Sequence, residues 1–142
     1  MKRSKYMKIL VPLDGSENAN KALIHACDLA KNYQSFITII YIAEKPTPLN
    51  LLDKKEYMKI TKRFGKKILE KGKENALKRG LDAKAILKEG NVADEIVEYA
   101  KNDNTNLIIM GRKGLGKATR FLIGSVSSKL TNNSPCSLLI VK

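Results

Sequence analysis

The sequence predicts an α/β fold, a doubly wound parallel sheet of five strands with helices on both faces. Three observations predict it. Short apolar runs alternate with amphipathic segments in the order β-α-β-α-β-α-β-α-β, which is the pattern of successive βαβ units. The first and fourth runs, Ile9-Leu10-Val11-Pro12-Leu13 and Leu107-Ile108-Ile109-Met110, are almost wholly apolar, as central strands covered on both faces must be. Each of them stops at a turn rich in small or polar residues, Asp14-Gly15-Ser16 and Gly111-Arg112-Lys113-Gly114. Ligands of such sheets bind outside the carboxyl ends of the strands, where the strand order reverses.

Strand one is expected from Lys8 to Leu13. A helix follows from about Asn18 to Asn32, with Ser16 or Asn18 as its cap. Ala19, Ala22, Leu23, Ala26, Cys27, Leu29, Ala30 and Tyr33 form its core stripe, and the small residues imply close packing on a sheet. His25 lies off that stripe and reads as an exposed histidine. Strand two is expected from Ser35 to Ala43, rich in β-branched and aromatic residues. Residues 44–53 contain Pro46 and Pro48, so neither a strand nor a helix continues there. Leu49, Leu51 and Leu52 in this stretch could cover a ligand or pack on a neighbouring helix. A long helix runs from about Asp53 to Arg79, with Tyr57, Ile60, Phe64, Ile68 and Ala76 on its apolar face and lysines over the rest. Gly65 and Gly72 weaken it by about 1 kcal/mol each relative to alanine. Its basic side chains suit an acidic partner or simply a solvated surface.

Strand three is expected from Ala83 to Leu87, with Glu89-Gly90-Asn91 as the turn after it. Asn91 caps a helix from about Val92 to Asn102, whose first turn carries Asp94 and Glu95. Strand four is Leu107 to Met110. After the glycine loop a helix runs from about Ser125 to Thr131, and Ser134-Pro135 ends it. Strand five is Cys136 to Val141.

The loop after strand four carries the chemistry. Glycines there let backbone N–H groups approach a ligand without interference from a Cβ. Gly124-Ser125 opens a helix and so presents unpaired N–H groups and the positive end of a dipole. Two such donor groups suit an anion with several oxygens, and a nucleotide polyphosphate fits best. The stretch Gly111-Arg-Lys-Gly-Leu-Gly116-Lys117-Ala118 is one residue short of the phosphate loop of P-loop NTPases, and Ala118 lacks the hydroxyl that ligates magnesium there. A GxGxxG dinucleotide fingerprint is absent. The HxGH motif of nucleotidyl transferases and the SGGxDS loop of ATP pyrophosphatases are absent too, which argues against adenylyl transfer.

The spacing Gly111-x2-Gly114-x9-Gly124-Ser125 resembles the ATP-binding signature of the universal stress protein family. Ile9 to Ser16, Ile39-Ile40-Tyr41-Ile42 and Pro135 to Val141 match the family's strands as well, so the resemblance covers Met7 to Lys142. It implies a Rossmann-like fold, similar to the adenine nucleotide alpha hydrolases, with strand order 3-2-1-4-5. It also implies a nucleotide-binding set: Pro12, Asp14, Ile42, Met110, Gly111, Arg112, Gly114, Gly124, Ser125, Val126 and Ser127. Asp14 would take the ribose or a phosphate-bound metal, although a turn aspartate can equally hold its own backbone. Ile42, where the family often has valine, would read adenine through its backbone, and Met110 would line the base or sugar. Gly111, Arg112 and Gly114 would wrap the phosphates, and Gly124 to Ser127 would close the site. Lys113, Lys117 and Arg120 add charge or point away. The implied cofactor is ATP, with Mg or Mn held mainly by the phosphates. No catalytic base or nucleophile is evident, so binding is expected, with at most slow hydrolysis.

In this order strand five lies at the sheet edge, and an apolar edge invites pairing. The resemblance implies an antiparallel homodimer through residues 136–141. The expected role is a nucleotide-dependent regulator that signals to a protein partner. An adaptor using its basic helix 53–79, with AMP or no nucleotide, is the alternative.

The length of 142 residues fits one domain, 1–142. The net charge of +13 draws anions, but lysine dominates over arginine and only 6% of residues are aromatic. Sequence-tolerant nucleic-acid binders interleave aromatics for base stacking, so nucleic acid is the lesser reading. Cys27 and Cys136 read as reduced core thiols. No apolar run approaches a membrane span, and the basic start leads into a strand rather than a signal-peptide core. A cytoplasmic protein is expected.

Overall fold

The computed structural model describes residues 6–45, 53–112 and 125–142. Strands β1 (Lys8–Pro12), β2 (Phe36–Glu44), β3 (Lys84–Gly90), β4 (Leu107–Gly111) and β5 (Ser137–Val141) form one sheet. Helices α1 (Glu17–Tyr33), α2 (Lys54–Lys78), α3 (Val92–Asn102) and α4 (Ser125–Asn133) lie between them in the chain. The strand order is β3-β2-β1-β4-β5 and every pairing is parallel. This is the doubly wound fold read from the sequence, with β1 at the centre between β2 and β4.

Alternation along the central strands splits the core into two layers. Ile9, Val11, Ile39 and Ile109 point to one face and pack with Leu23, Ala26 and Cys27 of α1 and Leu69 and Ala76 of α2. Leu10, Ile40, Ile42, Ile108 and Met110 point to the other and pack with Ile96 and Ala100 of α3 and Leu130 of α4. A strand buried on both faces needs an apolar residue at every position, which explains the unbroken runs. Each fully buried Leu or Ile contributes about 1.5–3 kcal/mol. Across the amino end of the sheet, the Lys8 backbone N–H donates to Asn106 Oδ1 at 2.8 Å and Lys8 Nζ donates to the Asp103 carbonyl at 2.9 Å. These bonds tie β1 to the loop that feeds β4.

Ser16 caps α1, its Oγ accepting from the Ala19 N–H at 3.1 Å. Of the expected stripe, Ala19, Ala22, Leu23, Ala26, Cys27 and Ala30 are buried and Leu29 is partly so. His25 is exposed as expected, but Tyr33 at the helix end is exposed and meets Tyr6 edge-on instead of entering the core.

Two further expectations are corrected. The apolar face of α2 is only partly the expected one: Ala76 is buried and Ile68 packs on the core. Ile60 and Phe64 are exposed, and the helix meets the sheet through Gly65, Leu69, Gly72 and Ala76. The reason is steric. A Cβ on Gly65 would lie 2.3 Å from Tyr41 Cδ1, and one on Gly72 would lie 2.8 Å from Leu13 Cδ1. The sheet supplies the bulk and the helix supplies the gap. β3 is also longer than expected. Its pairing with β2 continues from Tyr41↔Leu87 to Glu44↔Gly90 because β2 offers ladder partners that far. The chain leaves the sheet at Gly90, whose φ of +142° few side chains adopt. Of the two cysteines, Cys27 is buried and Cys136 is only partly so.

Candidate functional site

The carboxyl ends of β1, β2 and β4 bring most of the expected site residues to one end of the sheet. Pro12 ends β1 and is half-buried. The chain is still tied to the sheet one residue later, where the Leu13 N–H donates to the Ile40 carbonyl at 2.8 Å. Asp14 then turns the chain. Its Oδ1 accepts from the Ser16 N–H at 2.9 Å, which fixes the carboxylate and orients the turn into the α1 cap. Asp14 therefore does hold its own backbone, and this fixes its position at the mouth.

From β2 and β4, Ile42 and Met110 enter the apolar layer shared with α3 and α4, and Val126 of α4 packs against the same cluster. This follows from the alternation, since both lie an even step from Ile40 and Ile108 and so share their face. Gly111 closes β4. A Cβ there would lie 2.6 Å from the carbonyl carbon of Asn18 and 2.8 Å from its oxygen. These are backbone atoms and cannot swing aside, so glycine is what lets the start of α1 close onto β4. The Arg112 N–H donates to the Val141 carbonyl at 2.8 Å, fixing the first residue after β4 to the edge strand.

The hydroxyl of Ser127 is buried and donates to the carbonyls of Arg112 and Gly111 at 3.3 and 3.5 Å. It anchors the first turn of α4 to the end of β4, while Ser125 and Ser128 of that turn are exposed. Thr131 Oγ1 in turn donates to the Ser127 carbonyl at 2.8 Å. Gly114, Gly124, Lys113, Lys117 and Arg120 lie outside the described residues, as do Leu49, Leu51 and Leu52.

Ser125 and Val126 also line an open cleft of about 180 Å³ with Glu44, Asn91, Val92, Ala93 and Lys129. Sequence reasoning missed this wall. Its signal is the placement of two helix starts, α3 and α4, at the same end of the sheet. Asn91 caps α3 by accepting from the Asp94 N–H at 3.0 Å. Lys129 pairs with Asp94 at 3.3 Å, which joins the first turn of α3 to α4.

Chemically, the arrangement offers a fixed carboxylate at Asp14, Val126 in the cleft wall with Ile42 and Met110 buried in the apolar layer behind it, and the helix start at Ser125. Among the described residues no three His, Cys, Asp or Glu side chains converge in a metal-binding group. No described helix is long and apolar enough to cross a membrane.

Known proteins share this fold. The family model described as the universal stress protein family matches residues 5–142. The chain is 34% identical to universal stress protein YxiE of Bacillus subtilis, over 96% of this chain and 99% of that protein. It superposes on universal stress protein UspA from Lactobacillus plantarum with a TM-score of 0.87 at 24% identity, covering 96% and 98% of the two chains. It is similar to a universal stress protein solved in complex with cAMP, with a TM-score of 0.77, 25% identity and coverage of 98% and 99%.

Proposed function

The chain belongs to the universal stress protein family, and from that premise we propose that it binds ATP within a homodimer and signals occupancy of the site to another protein. The observation that carries this reading is the adjacency of β1 and β4 at the centre of the sheet. It sets the Asp14 turn beside Gly111 and Arg112, with the start of α4 anchored to the same two carbonyls through Ser127. In this reading Pro12 and Asp14 meet the ribose, the Ile42 backbone reads adenine, and Met110 with Val126 lines the base and sugar. Gly111, Arg112 and Gly114 wrap the phosphates, and Gly124, Ser125 and Ser127 close the site. Mg or Mn is held mainly by the phosphates, with Asp14 as the protein carboxylate beside them. The site offers no evident base to activate water, so turnover is slow or nil without a partner.

The test begins with protein purified without added nucleotide, denatured, and assayed for released small molecules by mass spectrometry. ATP near one per chain is the expected result. Calorimetry with ATP follows on wild type stripped of nucleotide and on Gly114→Leu, where the added side chain should abolish binding and leave the melting temperature of the nucleotide-free protein unchanged. Wild-type affinity in the variant would refute the site.

A second reading has the same site take a nucleoside monophosphate instead of ATP. It is favoured by the structural relative solved with cAMP. Recovery of a monophosphate rather than ATP from the purified protein would select it.

A further inference from the structure

The apolar residues that α2 turns away from the sheet form a patch of their own. Ile60 is 53% exposed and Phe64 is 46% exposed, one helical turn apart, with half-buried Tyr57 and Ile68 beside them. The patch is fixed rather than loose. The Phe64 ring meets Tyr41 edge-on, with centroids 6.2 Å apart at 73°. It also borders the turn after β1, since a Cβ on Gly15 would lie 3.0 Å from Ile68 Cδ1 and 3.5 Å from Phe64 Cζ.

The charge around it is one-sided. α2 carries ten basic and three acidic residues, more than half of the chain's net charge of +13. Among the described residues Lys62 is the α2 cation held in an ion pair, with Glu89 of β3. Lys59, Arg63 and Lys67 flank Ile60 and Phe64 on the exposed side of the helix. An apolar centre with a mainly basic rim is complementary to a surface that is apolar at its centre and acidic around it.

We infer that this corner of α2 is a docking surface for an acidic amphipathic helix of another protein. A helix with apolar residues three or four positions apart can seat them on Ile60 and Phe64 and set its carboxylates against Lys59, Arg63 and Lys67. A bilayer fits the surface less well. Interfacial helices insert a broad apolar face, and the broad face of α2 is already buried on the sheet through Gly65, Leu69, Gly72 and Ala76. Nucleic acid fits less well too. Base stacking needs a free aromatic platform, while Phe64 is engaged by Tyr41 and its neighbour Ile60 is aliphatic. None of Ile60, Phe64, Lys59, Arg63 and Lys67 is among the proposed nucleotide contacts, so the inference stands whether or not ATP is the ligand.

The test places a photoreactive benzoylphenylalanine at position 60 of the full chain in its native host and illuminates intact cells. The expected product is an adduct with another protein. Its crosslinked peptide, mapped by mass spectrometry, should be rich in Asp and Glu with apolar residues at three- or four-residue spacing. The double charge reversal Arg63→Glu with Lys67→Glu should cut the adduct by roughly tenfold, as loss of rim complementarity predicts. Both positions are exposed, so the melting temperature should stay at the wild-type value. The same label at Leu77, exposed on α2 but about 26 Å further along the helix, should not give this adduct. The inference is overturned by no adduct, by an adduct with a second copy of this chain, with phospholipid or with nucleic acid, by a crosslinked peptide without the acidic pattern, by an adduct indifferent to charge reversal, or by the same adduct from Leu77.

Discussion

Gly65 stands where the ring of Tyr41 occupies the place a side chain would take, with Cδ1 2.3 Å and Cε1 2.6 Å from the position of a Cβ. In an exposed helix interior, glycine to alanine is stabilising by about 1 kcal/mol. Here the new methyl must displace a buried ring, and overpacking of that kind costs about 1–3 kcal/mol. Gly65→Ala should therefore lose stability on balance, by up to about 2 kcal/mol in urea denaturation, and a gain would contradict the packing. Tyr41 itself reports the burial electrostatically. Desolvation, and after it the neighbouring Tyr57, Asp14 and Glu44, raises its phenol above the usual value. The folded chain thus keeps this proton at pH values where the unfolded chain has released it. The associated stability is whole below the ordinary phenol value of about 10 and is lost as pH rises through the raised one. Tyr41→Phe keeps the ring against Gly65 and Phe64 and removes the titration. Unfolding free energy measured above about pH 10 should fall less steeply in the variant, and equal slopes would assign the alkaline loss elsewhere, with burial of the raised Cys27 thiol as the next source.

At the scale of elements, legibility depended on which partner carried the bulk. In α1 the helix brings the side chains, so Ala19, Ala22, Leu23, Ala26 and Cys27 announce the buried stripe directly. In α2 the sheet brings them. Leu13, Ile39 and Tyr41 fill the interface, the helix answers with Gly65 and Gly72, and apolar periodicity selects Tyr57, Ile60 and Phe64 instead. Residues read as weakening the helix are those that let it dock. The end of β3 was hidden for a related reason. Lys88 and Glu89 look like a turn approaching, yet an edge strand tolerates charge and β2 offers partners through Glu44↔Gly90. Caps were legible because their chemistry is local. Ser16 is buried and its Oγ satisfies the Ala19 N–H, so Ser16→Ala should cost about 1–2 kcal/mol, whereas Ser16→Gly should cost only a few tenths. Chemical denaturation of the pair checks this, and equal losses would mean that packing of the Ser16 side chain, not capping, is what matters there.

At the scale of the molecule, the two turns that flank the candidate site were legible because each follows an unbroken apolar strand. Their meeting requires β1 and β4 to be neighbours, a fact of topology that periodicity does not encode and that only the family resemblance, with its order 3-2-1-4-5, supplied. The cleft wall of Glu44, Asn91 and Lys129 was hidden for the same reason, as it draws on three separate crossovers. Topology also leaves the sheet with two unlike edges. β3 carries exposed Lys84, Lys88 and Glu89, and charged side chains discourage a second chain from pairing. β5 pairs with β4 on one side only and is apolar from Leu138 to Val141, with Leu139 38% exposed. The proposed homodimer is therefore argued through β5, antiparallel about a two-fold axis. Two chains of +13 each repel, so added salt should tighten the association by screening that repulsion. Light scattering on the wild type should give twice the 15.8 kDa of one chain, and Leu139→Lys should give the single-chain mass with a melting temperature no longer dependent on concentration. A wild type that stays at 15.8 kDa across concentration would remove the dimer, and a Leu139→Lys variant that stays dimeric would move the contact off this edge.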